Sequence, residues 1–302
     1  MALKDVKSRI SSVKNIQKIT RAMEMVAAAR LRRAEQRISV LRPYAGAIRR
    51  MTRQAAEAAG NVPNVPILTQ HENEQTVAIL LVAADRGLAG AFNSQIVRAG
   101  IRLAGELEGE GKRVVWYASG RRGVSSLTFR GREVVEGYTG FTERPAYANA
   151  REIASDLMSA YIDGEIDRVE IIYNGYVSAL TQRVTRETLL PLQEASILGE
   201  EEEQEEADKS ADEQGHQALV EYEPDPDEIL QRLVPAYVEI SLYRALLESS
   251  ASELGARMTA MRNATDNAGE LIKDYTLQMN RERQAEITQE IMEVVAGAEA
   301  LT

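Results

Sequence analysis

Residue types that carry out covalent or acid/base chemistry are scarce in this chain, and where they occur their spacing does not form a site. Cysteine is absent from the 302 residues, which removes thiolate nucleophiles, thiolate metal ligands and any disulfide framework. The two histidines, His71 and His216, fall in separate polar stretches, so neither a histidine metal site nor a histidine relay is indicated. One glycine-rich turn stands where an α/β fold would hold phosphate. Asp85-Arg86-Gly87-Leu88-Ala89-Gly90 follows an apolar run of strand length and precedes a helical pattern. Its spacing is neither G-x-G-x-x-G nor G-x-x-x-x-G-K-[ST], which favours a plain strand-to-helix turn over a nucleotide site. The acids crowded between Glu200 and Glu213 lack the ligand spacing of a calcium loop and read as a solvated linker. No cysteine or histidine chemistry, no cofactor loop and no metal site is therefore expected.

What holds these pieces is a pair of long helices. From about Asp227 onward apolar or small residues recur at steps of three and four: Leu247, Ala251, Leu254, Met258, Met261, Thr265, Ala268, Ile272, Tyr275 and Met279. The pattern drifts and resumes at Ile287, Ile291, Val294 and Ala298. One stripe of this kind predicts one helix, and about 70 residues give a rod of about 105 Å. Its middle is built from Ala, Met and Thr, which let a second backbone come close. A second such stripe opens the chain: Leu3, Val6, Ile10, Val13, Ile16, Ile19 or Thr20, Met23, Val26, Arg30, Ala34, Ile38, Leu41 and Ala45. This places the charge of Arg30 on the seam, and Pro43 is expected to bend the helix or end its regular part.

Between the rods lie runs of strand length. Thr76 to Ala84 is continuously apolar, as in a strand covered on both faces. Lys112 to Ala118, Glu133 to Tyr138, Arg168 to Tyr173 and Gln182 to Leu192 follow, with helical patterns at Ser94 to Glu108 and Tyr147 to Ile162. Strands separated by helices predict a mostly parallel sheet with crossover helices. The fold expected is α+β overall: an antiparallel coiled coil of long N- and C-terminal helices around a central Rossmann-like α/β domain. Its divisions are 1–58 for the first helix, 75–195 for the domain, 196–226 for the acidic linker and 227–302 for the second helix. Because the second helix is the longer, its tip should protrude alone unless its start overhangs the domain instead.

Charge is distributed unevenly behind a net value of −10. Residues 1–56 hold 14 Lys and Arg against 3 acids, whereas residues 227–302 hold 13 acids against 7 bases. Opposite charge favours pairing the two rods with each other rather than with copies of themselves. The basic helix lacks aromatics for stacking on bases, with Tyr44 its only one, so nucleic acid is not an expected partner. No apolar run reaches the roughly 20 residues a bilayer requires, so direct membrane insertion is not expected either.

Three stretches carry a family resemblance. They are residues 10–29 (ISSVKNIQKITRAMEMVAAA), 85–90 (DRGLAG) and 252–267 (SELGARMTAMRNATDN), with further matches at 281–290 (RERQAEITQE) and 222–226 (YEPDP). In order and along the whole chain, they resemble the gamma subunit of the F-type ATP synthases. The resemblance implies a central rotor shaft without an active site of its own. It would turn inside three alpha and three beta subunits, one copy per head, and be seated by epsilon on the c-subunit ring. It also implies a peripheral position on the cytoplasmic face of the plasma membrane. Contacts with beta subunits would fall to Met23, Arg30, Arg86, Arg283, Gln284 and Thr288. Two departures stand out: Ala89 where many relatives carry cysteine, and Gly255 where alanine is common. Without cysteine, the thiol switch of chloroplast relatives cannot operate. Readings without the resemblance are a coiled-coil scaffold bearing an α/β recognition domain, or a small-molecule enzyme using the Gly87 to Gly90 turn.

Overall fold

A computed structural model of the chain describes residues 3–59, 66–192 and 226–299. Helix α1 (Leu3–Ala59) opens the fold and helix α5 (Pro226–Glu299) closes it. Between them run β1 (Thr76–Val82), α2 (Phe92–Gly109), β2 (Arg113–Ser119), α3 (Arg121–Phe129), β3 (Val134–Tyr138), α4 (Tyr147–Ile162), β4 (Arg168–Tyr176) and β5 (Gln182–Leu190). The acidic segment from Glu200 to Glu213 lies outside the described residues. By internal contacts the chain divides into two units. One holds α1 up to Arg30, Leu88–Gly90 and α5 from Arg257; the other holds Leu31–Gly87 and Ala91–Ala256.

The larger unit is built on a five-stranded sheet in the order β3-β2-β1-β4-β5. The first four strands are parallel, and β5 returns antiparallel to β4. All seven residues of β1 are buried, because the central strand is covered on both faces. Ala78, Leu80 and Val82 join a core with Ile153, Leu157 and Tyr161 of α4 and with Leu230, Val234, Val238 and Leu242 of α5. On the opposite face α2 comes so near that a Cβ on Gly100 would sit 2.6 Å from Leu81. Helix α3, which the sequence patterns above do not include, lies between Gly120 and Gly131.

Pro43 neither ends α1 nor divides it into separate helices. A proline inside a helix costs about 3 kcal/mol, through the lost backbone hydrogen bond and the clash of its ring with the preceding turn. Here the buried residues on either side, Leu31, Ala34, Ile38, Ile48 and Thr52, hold the flanking turns in place. Tyr176 also donates its hydroxyl proton to Glu35, tying α1 to the end of β4.

The smaller unit is the helix pair. Gln17 donates from Nε2 to the Thr265 carbonyl at 3.4 Å, and Arg262 Nε donates to Glu24 Oε1 at 3.0 Å. Rising numbers on α1 thus meet falling numbers on α5, so the pair is antiparallel. The seam of α1 differs from the sequence expectation between Ile16 and Arg30, although Thr20, one of the two residues expected at its level, lies on it. Thr20, Ala27 and Leu31 are buried and Gln17 and Glu24 half-buried, whereas Ile16, Ile19, Val26 and Arg30 are exposed. Residues 6, 10, 13, 17, 20, 24, 27, 31, 34, 38 and 41 follow an unbroken heptad. Its polar members are satisfied across the pair by Thr265 and Arg262, so the larger apolar side chains point outward instead. On α5 the seam runs through Met258, Met261, Thr265, Ala268, Ile272, Tyr275 and Met279, all buried or half-buried. From Arg283 to Ala296 every residue is exposed, as the unequal lengths of the rods predict.

Candidate functional site

The β1–α2 turn is held from below by one carboxylate. Asp85, with its side chain 7% exposed, accepts hydrogen bonds from the backbone N–H groups of Arg121 (3.1 Å), Gly140 (2.9 Å) and Thr142 (3.2 Å) and from the Thr142 hydroxyl (3.1 Å). Burial works to raise the Asp85 pKa, but these donors outweigh it and hold the carboxyl below its ordinary value. The Asp85 N–H donates in turn to Thr142 Oγ1 at 2.9 Å. One side chain therefore joins the turn, the start of α3 and the loop after β3. Gly120, just before α3, lies at φ +90°, and a Cβ there would stand 2.3 Å from the Ala83 carbonyl oxygen, so this junction accepts only glycine.

The next residue is Arg86, 67% exposed, with Nη1 3.3 Å from Oε1 of Glu143. Its carbonyl accepts from Asn93 Nδ2 at 3.3 Å, and Asn93 Oδ1 accepts from the Ala84 N–H at 2.9 Å. Leu88 follows at φ +64°, a left-handed conformation uncommon outside glycine, with its side chain turned out to solvent. The backbone around Arg86 is thus fixed while its guanidinium, paired with Glu143, stays largely exposed.

In a sheet of this order the crevice where a dinucleotide would lie is between β1 and β4, at their C-terminal ends. Here α5 takes that place. Ser249 Oγ lies 3.4 Å from the Val82 carbonyl, and Ser250 Oγ donates to the Glu143 carbonyl at 2.9 Å. What remains is a small cavity lined by Val82, Thr142, Ser249, Ser250 and Glu253. The turn therefore works as a rigid bracket.

The remaining residues singled out from sequence lie on the helices. Met23 is half-buried beside the α1 seam, and Arg30 is exposed. Arg283, Gln284 and Thr288 come together on the unaccompanied end of α5, all exposed, with the Thr288 hydroxyl donating to the Gln284 carbonyl at 2.9 Å. Arg86 belongs to the other unit. Sequence reading missed Thr142 and Glu143, which reach the turn from more than fifty residues away and carry no local signal beyond the nearby Gly140. It also missed the polar contacts of Thr20, Glu24 and Arg262.

Two units together define a class: an antiparallel helix pair with an exposed tip, and an α/β unit whose nucleotide crevice is filled by α5. The family model described as ATP synthase matches residues 2–301. The ATP synthase gamma chain of Mycolicibacterium vanbaalenii is 40% identical, covering 99% of this chain and 97% of that one. That of Rubrobacter xylanophilus is 43% identical, covering 99% and 98%. Among solved structures, the central stalk and c-ring of the Tetrahymena thermophila mitochondrial ATP synthase contains a chain 26% identical with a TM-score of 0.59, covering 82% of this chain and 99% of that chain. A Euglena gracilis mitochondrial ATP synthase chain, 17% identical, shares the fold at a TM-score of 0.67 over 99% of this chain and 94% of its own. The chain belongs to the ATP synthase gamma chain family, and so is a subunit of a membrane-associated enzyme complex.

Proposed function

We infer that this chain is the central rotor shaft of a proton-translocating ATP synthase. It couples rotation of the c ring to conformational change at the beta-subunit catalytic sites, in synthesis or hydrolysis, and has no active site of its own. Residues 1–58 and 227–302 form the shaft, 75–195 its seat for epsilon and the c ring, and 196–226 the linker. The complex places it peripherally on the cytoplasmic face of the plasma membrane, with one copy for three alpha and three beta subunits.

The observation that carries this reading is the inverted dressing of the helix pair. Its seam is polar at Gln17, Thr20 and Glu24, while Ile16 and Ile19 are more than half exposed. An isolated coiled coil places its large apolar residues inward. A shaft running in a sleeve needs apolar and charged groups outward, so that each angle favours one conformation of a surrounding site. Met23, Arg30, Arg86, Arg283, Gln284 and Thr288 then supply contacts to the beta subunits that set preferred angles without a dry, locked interface.

Copurification tests the reading. The chain should emerge in a complex at one copy per three alpha and three beta chains. Recovery as a symmetric homodimer without them would refute it.

A further inference from the structure

We propose that Glu143 is the resting counter-ion of Arg86, and that Arg86 exchanges it for a carboxylate of a surrounding beta subunit as the shaft turns. The proposal rests on the assignment of Arg86 to that contact. Three observations carry it.

First, the two residues are held in register by a common anchor. Asp85 precedes Arg86, and Thr142 precedes Glu143. Asp85 and Thr142 are joined by three hydrogen bonds between 2.9 and 3.2 Å. The backbones that bear the ion pair therefore stay in register whether or not the pair is made. Asn93 fixes the carbonyl of Arg86 and Ser250 that of Glu143.

Second, the pair itself is weak. Its closest approach is 3.3 Å, with Arg86 67% exposed against 21% for Glu143. An ion pair open to water contributes little and opens at small cost, as an exchangeable latch requires. A fully buried bidentate pair would lock the arginine away.

Third, the pair is asymmetric. Glu143 sits in its loop with its backbone held, while the Arg86 guanidinium is the more exposed partner. An incoming carboxylate can take the guanidinium without moving the bracket. Glu143 then sets how tightly that contact holds, because the arginine must leave one acid to meet the other.

The test uses the assembled synthase carrying Glu143→Gln, Arg86→Gln or both, with Glu143→Asp as a conservative control, and reads ATP turnover and the rotational dwell. Glu143→Gln should lengthen one dwell, and slow turnover, by about two- to fivefold, the range for one partly exposed ion pair. That slowing should vanish when Arg86 is already Gln, and Glu143→Asp should restore turnover close to the parent. Equal yields of assembled complex establish that the variants fold. If Glu143→Gln slows turnover equally without Arg86, or has no effect while Arg86→Gln does, the proposal is overturned and the Arg86 contact stands. If Arg86→Gln itself leaves turnover and dwell unchanged, the contact assignment fails, and the exchange fails with it.

Discussion

Thr20 and Thr265 face each other across the helix pair with their hydroxyl oxygens 2.7 Å apart. Each also has a carbonyl within its own helix, Gln17 for Thr20 at 3.1 Å and Met261 for Thr265 at 2.8 Å. Two small polar residues at this level let the backbones approach and fix their register through direction rather than bulk.

Replacing either threonine with valine keeps the shape and removes one hydroxyl. Each single change should destabilise the helix pair by about 1 kcal/mol. The double change should cost less than the sum, because the second hydroxyl then leaves no orphaned partner. Thermal unfolding followed by helical circular dichroism in the four proteins measures the coupling; strict additivity would show that the hydroxyls do not interact.

Asp85→Asn should destabilise the α/β unit by about 2 kcal/mol, since charge-assisted hydrogen bonds are the strong ones and an amide NH₂ would face backbone donors. Because the folded pKa is depressed from its ordinary 3.8, the carboxylate's contribution is complete above that value and declines as pH falls through the folded one. Denaturant titrations between about pH 5 and pH 2 should therefore show a shallower acid loss in the variant. Asp167 will keep part of the slope. Burial raises its pKa, but the His71 ring at 2.8 Å and the N–H groups of Thr76 and Gln75 outweigh this and hold it low.

Gly255→Ala sets helix propensity against packing. Propensity alone favours alanine by about 1 kcal/mol. In the fold, a Cβ at Gly255 would lie 2.9 Å from the Ala179 carbonyl oxygen and 3.1 Å from Gln182 Nε2, against a backbone atom of the β4–β5 hairpin. The expected result is a loss of about 1–3 kcal/mol, read as a lower melting temperature. A gain would mean that the hairpin yields.

Charge reversal at Arg283 should leave the fold intact, since surface substitutions away from packed features change stability by no more than about 0.5 kcal/mol. In the assembled synthase it should slow ATP turnover or uncouple it from proton flow. Unchanged turnover and coupling would remove Arg283 from the contact set.

Much of the architecture could be read from local pattern. The continuous apolar run of Thr76 to Ala84 gave a strand covered on both faces, observed as Thr76–Val82, the three-and-four spacing gave both rods, and their unequal lengths gave the bare tip from Arg283 on. These features are set by period, which each segment carries within itself. Phase was different. Ile16 and Val26 fit helical spacing as well as Gln17 and Ala27 do, and hydrophobicity selected the wrong pair, while at the level between them Ile19 and Thr20 stayed open and the fold chose Thr20. A helix with apolar groups on two faces does not declare which one meets its partner; Thr265 and Arg262, almost 250 residues away, decide it. The same limit hid the Asp85–Thr142 clamp and the need for Gly255. Each depends on a group brought near by the tertiary fold, and the strength of a hydrogen bond or a steric contact depends on separation in space, which spacing along the chain does not encode.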